Sequence, residues 1–195
     1  DNPFTEEKLM EGKLEPTNEA YALAKLFTAK LCQYINKANP TMYYKTLIPC
    51  NIYGKHDNFN PETAHLLPSI IQKIHTAKTN SANTVSIWGD GTARREFLYA
   101  DDLADAILLA VEDLHGIPDI MNIGFGVDYS VNEYYETVAE VLNWKGTWEH
   151  DLSMPVGMMQ KLNAIDRQQK WGWTAKTSLK IGIKKTYQYF LESLR

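Results

Sequence analysis

Apolar residues recur every third or fourth position through EAYALAKLFTAKLCQYINKA, which predicts a helix over residues 19–38. Thr17 or Asn18, just behind Pro16, is the expected cap. The apolar side chains fall on more than one face, so burial on two sides is expected. Further helices are predicted over residues 64–77, from Asp101 or Asp102 onward, near residues 132–142, and from Ser178 as an amphipathic last helix. In the one from Asp101 or Asp102, Leu103, Ile107, Leu108 and Val111 share one face. Short β-rich runs lie between the helices: MYYKTLIP ending at Pro49, TVSIW, REFLY and DIMNIGF. GDG reads as a tight turn between TVSIW and REFLY, and CNIYGKHDNFNPE as a polar, turn-rich loop. Strands alternating with helices, with no internal repeat and no low-complexity linker, predict an α/β protein.

Composition narrows the function classes. A chain of 195 residues can build one ordinary domain with a sizeable core. A formal charge of −4, spread without long single-sign runs, argues against nucleic acid as the main partner. No apolar run reaches transmembrane length, and DNPFTEEKLMEG has neither the basic flank nor the apolar stretch of a signal peptide, so a cytoplasmic protein is expected. Cys32 and Cys50 are too few for a disulfide framework and lack partners at metal spacing; two reduced structural thiols and no metal are expected.

The chemistry begins at YALAK. Tyr21 and Lys25 stand four positions apart on the first predicted helix, which puts them on one face. A cation fixed beside a phenol primes it for proton transfer. With 11 tyrosines in the chain the bare spacing has low specificity, so the flanks must decide. The glycine-rich strand–turn–helix that receives a dinucleotide pyrophosphate does not occur in this sequence.

Five stretches carry a family resemblance in family order: KLEPTNEAYALAK, PCNIYGKHDNFNPETAHLLPSII, WGDGTARREFLYADDLADA, MNIGFG and WGWTAKTSLKIGIKKTYQYFLE. Together they resemble the C-terminal portion of the extended short-chain dehydrogenases/reductases, most closely the GDP-L-fucose synthases. HDNF followed by a histidine before LLPSI is the narrowest of these signals. The resemblance implies an NADP(H)-dependent epimerase/reductase acting on a GDP-sugar, with a homodimer as the assembly. It implies that the glycine-rich turn, a serine and a cysteine lie upstream of this chain, and that the chain alone is inactive and binds NADPH poorly. Residues 1–60 would then be the end of a Rossmann-type domain. Residues 61–195 would be mainly a substrate lobe, with some elements returning to that domain.

Site residues follow from the same resemblance. Tyr21 matches the catalytic tyrosine, Lys25 its partner and the holder of the nicotinamide ribose, and His65 the catalytic histidine. Pro49, Cys50, Asn51 and Ile52 match the strand end that meets the nicotinamide, with Cys50 where threonine is usual; Cys50 is not the family's catalytic cysteine. Lys73, Trp88, Arg95 and Lys161 match substrate-binding positions, and cations together with an indole suit a pyrophosphate and a base. Taken singly they read as a solvated lysine, a core tryptophan and a surface ion pair. Lys73 stands where arginine is usual, and MPVGMMQK leaves Met154 and Val156 where a lysine and an aspartate are usual. That departure keeps open a relative acting on another deoxy-keto sugar nucleotide, such as one leading to colitose. A non-catalytic binding module is the third reading.

Overall fold

The computed structural model describes residues 2–194 and has the α/β architecture expected from the alternation of elements. Strand β1 (Thr46–Pro49) pairs in parallel with β5 (Ile120–Ile123), Thr46 opposite Ile120 and Pro49 opposite Ile123. Strand β2 (Asn51–Tyr53) runs parallel to β4 (Arg94–Tyr99), with Asn51 opposite Phe97. On its other portion β4 meets β6 (Asp128–Ser130) antiparallel and β8 (Gln160–Lys161) parallel. Strand β3 (Thr84–Trp88) pairs in parallel with β7 (Thr147–Asp151).

Two apolar cores hold these strands. The larger joins α2 (Leu66–Thr79), α4 (Val131–Leu142) and α6 (Leu179–Ser193) to β3 and to the inner face of β4. Its fully buried members include Leu67, Ile70, Ile74, Ile87, Tyr134, Val138 and Ile183. The α4 start is fixed by a capping box: Ser130 Oγ accepts from the Glu133 N–H, and Glu133 accepts from the Ser130 N–H. The smaller core sets Met121 and Ile123 of β5 against Leu98, Ala106, Ala110 and Trp173, with Leu47, Cys50 and Ile52 packed on its margin.

Several sequence expectations are corrected here. Helix α1 (Glu19–Ala38) forms as predicted, but Ala29 is its only buried residue; Leu23, Phe27, Leu31 and Tyr34 are exposed, Phe27 at 69%. Burial on two sides is therefore not found: Ala29 and its half-buried neighbours pack on one side, and the face bearing Leu23, Phe27, Leu31 and Tyr34 meets nothing among the described residues. Asn18 takes the cap position of α1 but makes no side-chain capping bond; its side chain and that of Thr17 turn back to Glu15. Helix α3 (Ala100–Glu112) buries Asp102, Ala106 and Ala110, packs Leu103 on the margin of the smaller core, and leaves Ile107, Leu108 and Val111 exposed. Small residues face the strands because the helix packs close to them. Asp102 does not cap this helix: it accepts hydrogen bonds from the N–H groups of Lys176 and Thr177 and from the Thr177 hydroxyl. GDG is a turn with Gly89 and Gly91 at positive φ, but the strands it joins do not pair with each other. The first residues of CNIYGKHDNFNPE are strand β2 rather than loop. The WGW segment closes α5 (Asp166–Trp171) with Gly172 in the left-handed region.

Candidate active site

Strand β2 ends at Tyr53 and hands the chain to a loop that returns to start α2 at Leu66. Between that loop and β4 lies a cavity of about 530 Å³. Its walls include Asn51 and Ile52 from β2, His56 and Asp57 from the loop, His65 at the entrance to α2, and Arg95 from β4. Four of the residues singled out in the sequence, Asn51, Ile52, His65 and Arg95, thus converge on one space.

His65 occupies the cap position of α2 with extended backbone, and its side chain makes no capping bond. A helix-capping role is therefore not what its imidazole does. Asn51 is fixed by donating from Nδ2 to the Glu96 carbonyl at 2.8 Å. The Cys50 thiol is pushed up by burial and by the nearby Glu96 carboxylate. Both disfavour the thiolate form.

The adjacent arginines of β4 divide their labour. Arg94 is paired with Asp128 at 2.9 Å and with Glu133 at 3.3 Å, tying β4 to β6 and α4. Arg95 has no ion pair among the described residues; it donates to the Arg94 carbonyl and keeps the rest of its guanidinium toward the cavity. Burial lowers its pKa, the cost of holding a cation beside a partly enclosed space. The surface-ion-pair reading of Arg95 thus gives way. Lys161 sits on β8 as the direct register partner of Arg95, so two cations stand side by side on neighbouring strands.

Lys73 and Trp88 form a second group. The Lys73 ammonium lies 5.3 Å from the Trp88 ring centre and donates to Tyr135 Oη at 3.4 Å. It is half-buried rather than solvated, and burial lowers its pKa. Trp88 is 56% exposed at the end of β3 and is no core residue. The loop over residues 152–159 links the two groups. Val156 lies against Gly89, where a built Cβ would come within 2.6 Å of it, and Gly157 lies beside the Arg95 guanidinium. Met158 and Met159 of this loop are exposed.

Tyr21 and Lys25 lie elsewhere. The Lys25 ammonium is 5.5 Å from the Tyr21 ring centre, over the ring, and Tyr21 is 67% exposed on α1. Neither lines the cavity. Pro49 is exposed at the end of β1. The residue that sequence reasoning missed is Asp57, a cavity wall member inside the HDNF stretch already quoted for its resemblance. A second cavity of about 400 Å³, lined by Phe59, His75 and Phe190 among others, contains none of the predicted residues. No helix among the described residues is long and apolar enough to cross a membrane, and no group of three or more His, Cys, Asp or Glu side chains among them could hold a metal ion.

The family model described as "NAD dependent epimerase/dehydratase family" matches residues 1–124. The GDP-L-colitose synthase of Yersinia pseudotuberculosis is 48% identical over 98% of this chain and 62% of its own length. The GDP-L-fucose synthase of Azorhizobium caulinodans is 50% identical over 98% of this chain and 61% of its own. The chain therefore spans about three-fifths of the length of these curated relatives. Among solved structures, a GDP-L-fucose synthetase from Naegleria fowleri bound to NADP superposes with a TM-score of 0.89 at 28% identity, covering 100% of this chain and 62% of that one.

Proposed function

The chain belongs to the NAD dependent epimerase/dehydratase family, and from that premise we propose that it forms the substrate-binding part of an NADP(H)-dependent GDP-sugar epimerase/reductase of the GDP-L-fucose synthase type. The observation that carries this reading is the convergence of His65, Asn51, Ile52 and Arg95 on one cavity. The relatives named for GDP-L-fucose and GDP-L-colitose synthesis support the substrate class. In this reading residues 1–60 complete a dinucleotide-binding domain, and most of residues 61–195 build the nucleotide-sugar lobe. The protein works in the cytoplasm as a homodimer joined through α1.

The residues present suit the nicotinamide end of NADP(H). Ile52 offers an apolar wall beside Asn51 and His65. The pyrophosphate end requires a glycine-rich turn, which the 195 residues do not contain. When bound, NADPH supplies the hydride that reduces a C4 ketone. Tyr21 gives the proton that the resulting alkoxide oxygen needs, with Lys25 beside it. His65 removes or returns a proton at carbons alpha to the ketone, the step that inverts C3 and C5. Arg95 and Lys161 bind the diphosphate, and Lys73 with Trp88 takes the nucleoside.

A second substrate reading rests on the apolar loop over residues 152–159. Met154 and Val156 cannot accept a hydrogen bond from a sugar hydroxyl or a base N–H, so a sugar with fewer hydroxyls loses less there. The test is NADPH oxidation by the full-length protein with GDP-4-keto-6-deoxy-D-mannose and with its 3-deoxy counterpart. Turnover of the first with release of GDP-L-fucose supports the leading reading. At least tenfold higher kcat/KM for the 3-deoxy sugar establishes the second, and turnover of neither sinks both.

A further inference from the structure

The cavity holds one polar group for which the chemistry above has no use. Asp57 Oδ2 is buried and accepts no hydrogen bond among the described residues. The other oxygen, Oδ1, accepts from the Asn58 N–H at 2.8 Å. A buried carboxylate oxygen without a partner is costly and is retained where something needs it. Burial raises the Asp57 pKa, while the Asn58 N–H, the His65 charge and the Gly54 N–H each pull it down.

The other groups on the cavity wall narrow what Asp57 can serve. His56, its chain neighbour, is held in the left-handed region at φ 64° and shares a hydrogen bond of 2.9 Å between its Nδ1 and Tyr189 Oη on α6. That imidazole is already committed away from Asp57. Arg95, on β4, spends one N–H on the Arg94 carbonyl and is assigned to the substrate diphosphate in the reading above. Lys55 is exposed. His65 remains: it lines the same cavity and makes no capping bond.

We propose that Asp57 is the positioning residue of His65: its free oxygen accepts a hydrogen bond from one imidazole nitrogen and so presents the other nitrogen to the substrate carbon. This inference rests on the proton-transfer role given to His65 above. A neutral imidazole has one N–H and one lone pair, and whichever nitrogen is tied to a carboxylate keeps the proton. The carboxylate also stabilises the imidazolium formed when His65 takes a proton, as in other oriented histidines. Asp57 itself exchanges no proton with the substrate. The loop supports it from both sides, through the His56–Tyr189 bond and through Asn58, whose Nδ2 donates to Thr63 Oγ1 at 2.8 Å.

The test follows His65 directly by NMR titration of histidine-labelled full-length protein, comparing the parent with Asp57→Asn and Asp57→Glu. Loss of the negative charge in Asp57→Asn lowers the His65 midpoint by about 1 pH unit, the low end of what an opposite charge at close range does. The acid limb of solvent-deuterium exchange into the substrate moves to lower pH by the same amount, the exchange rate falls about tenfold or more, and KM changes less than twofold. Asp57→Glu retains the His65 midpoint and restores exchange in part. An unchanged His65 midpoint in a folded Asp57→Asn protein overturns the proposal, and an unchanged midpoint with a raised KM means that Asp57 binds a substrate hydroxyl instead. A shifted midpoint in a protein that exchanges no sugar nucleotide upholds the Asp57–His65 pair while the proposed function falls.

Discussion

Helices α1 and α2 carry apolar residues at the same helical spacing, yet they end in opposite environments. In α2, Leu67, Ile70, Ile71 and Ile74 are completely buried against α4, α6 and β3. In α1, Leu23, Phe27, Leu31 and Tyr34 stay exposed, and only Ala29 is buried. Amphipathic pattern therefore states that a helix needs a partner, not which one it finds. The α2 side, with the cavity and its cations, is closed by this chain's own strands and helices. The α1 side, with Tyr21 and Lys25, presents an apolar face of the sort that marks an interaction surface. In the proposed enzyme these regions also divide the work: proton exchange at carbon belongs to the closed region, and completion of the reduction to the open one.

The largest expected effect breaks the contrast in stability. Ile74→Ala removes fully buried methyl groups and is expected to lower the free energy of unfolding by about 2–5 kcal/mol. Leu23→Ala on the exposed face of α1 should stay within about 0.5 kcal/mol. Urea unfolding of both variants measures the difference; equal losses would mean that α1 is packed in solution.

A smaller effect sharpens the account of α1 as an interface. Phe27→Lys places a charge in the middle of the exposed apolar face and is expected to weaken self-association by about tenfold or more, near 1.4 kcal/mol. Sedimentation at several micromolar concentrations reads this. Identical profiles for parent and variant would remove α1 from the contact.

The smallest effect lies inside the closed region and has a pH signature. Burial raises the Asp57 pKa above its ordinary value of 3.8, so the folded protein holds that proton more tightly than the unfolded chain does. The parent then loses stability as pH climbs from about 3.8 through the folded value. Asp57→Asn should be slightly more stable than the parent above that window and equal to it below. Thermal unfolding at acid and neutral pH tests the sign, and a variant less stable at neutral pH would show that the hydrogen bonds to the carboxylate, including the one proposed from His65, outweigh its burial.

The readings that held were those where local pattern and burial agree. TVSIW alternates apolar and polar residues and is β3 over Thr84–Trp88, with Val85 and Ile87 buried. Its partner β7, TWEHD, was not legible, because it pairs as a half-exposed strand rich in charged residues. The GDG turn was visible, but β3 finds its neighbour some sixty residues later rather than across the turn, a choice of pairing that no local signal encodes. His65 and Arg95 could be named through a resemblance, yet their shared cavity depends on the register of β2 against β4. Asp57 stayed hidden because a carboxylate in a polar loop looks solvated until its burial is known.

In the proposed enzyme, carbon-proton exchange and carbonyl reduction are carried by different regions. Proton NMR of the 4-keto sugar nucleotide in D₂O, with and without NADPH, tests it on the full-length protein and on His65→Gln and Tyr21→Phe. The expected result is that His65→Gln loses deuterium exchange at C3 and C5. Tyr21→Phe should keep that exchange while reduction falls by about 10²-fold or more. Exchange at the parent rate in His65→Gln would contradict the claim and return His65 to a structural place at the start of α2.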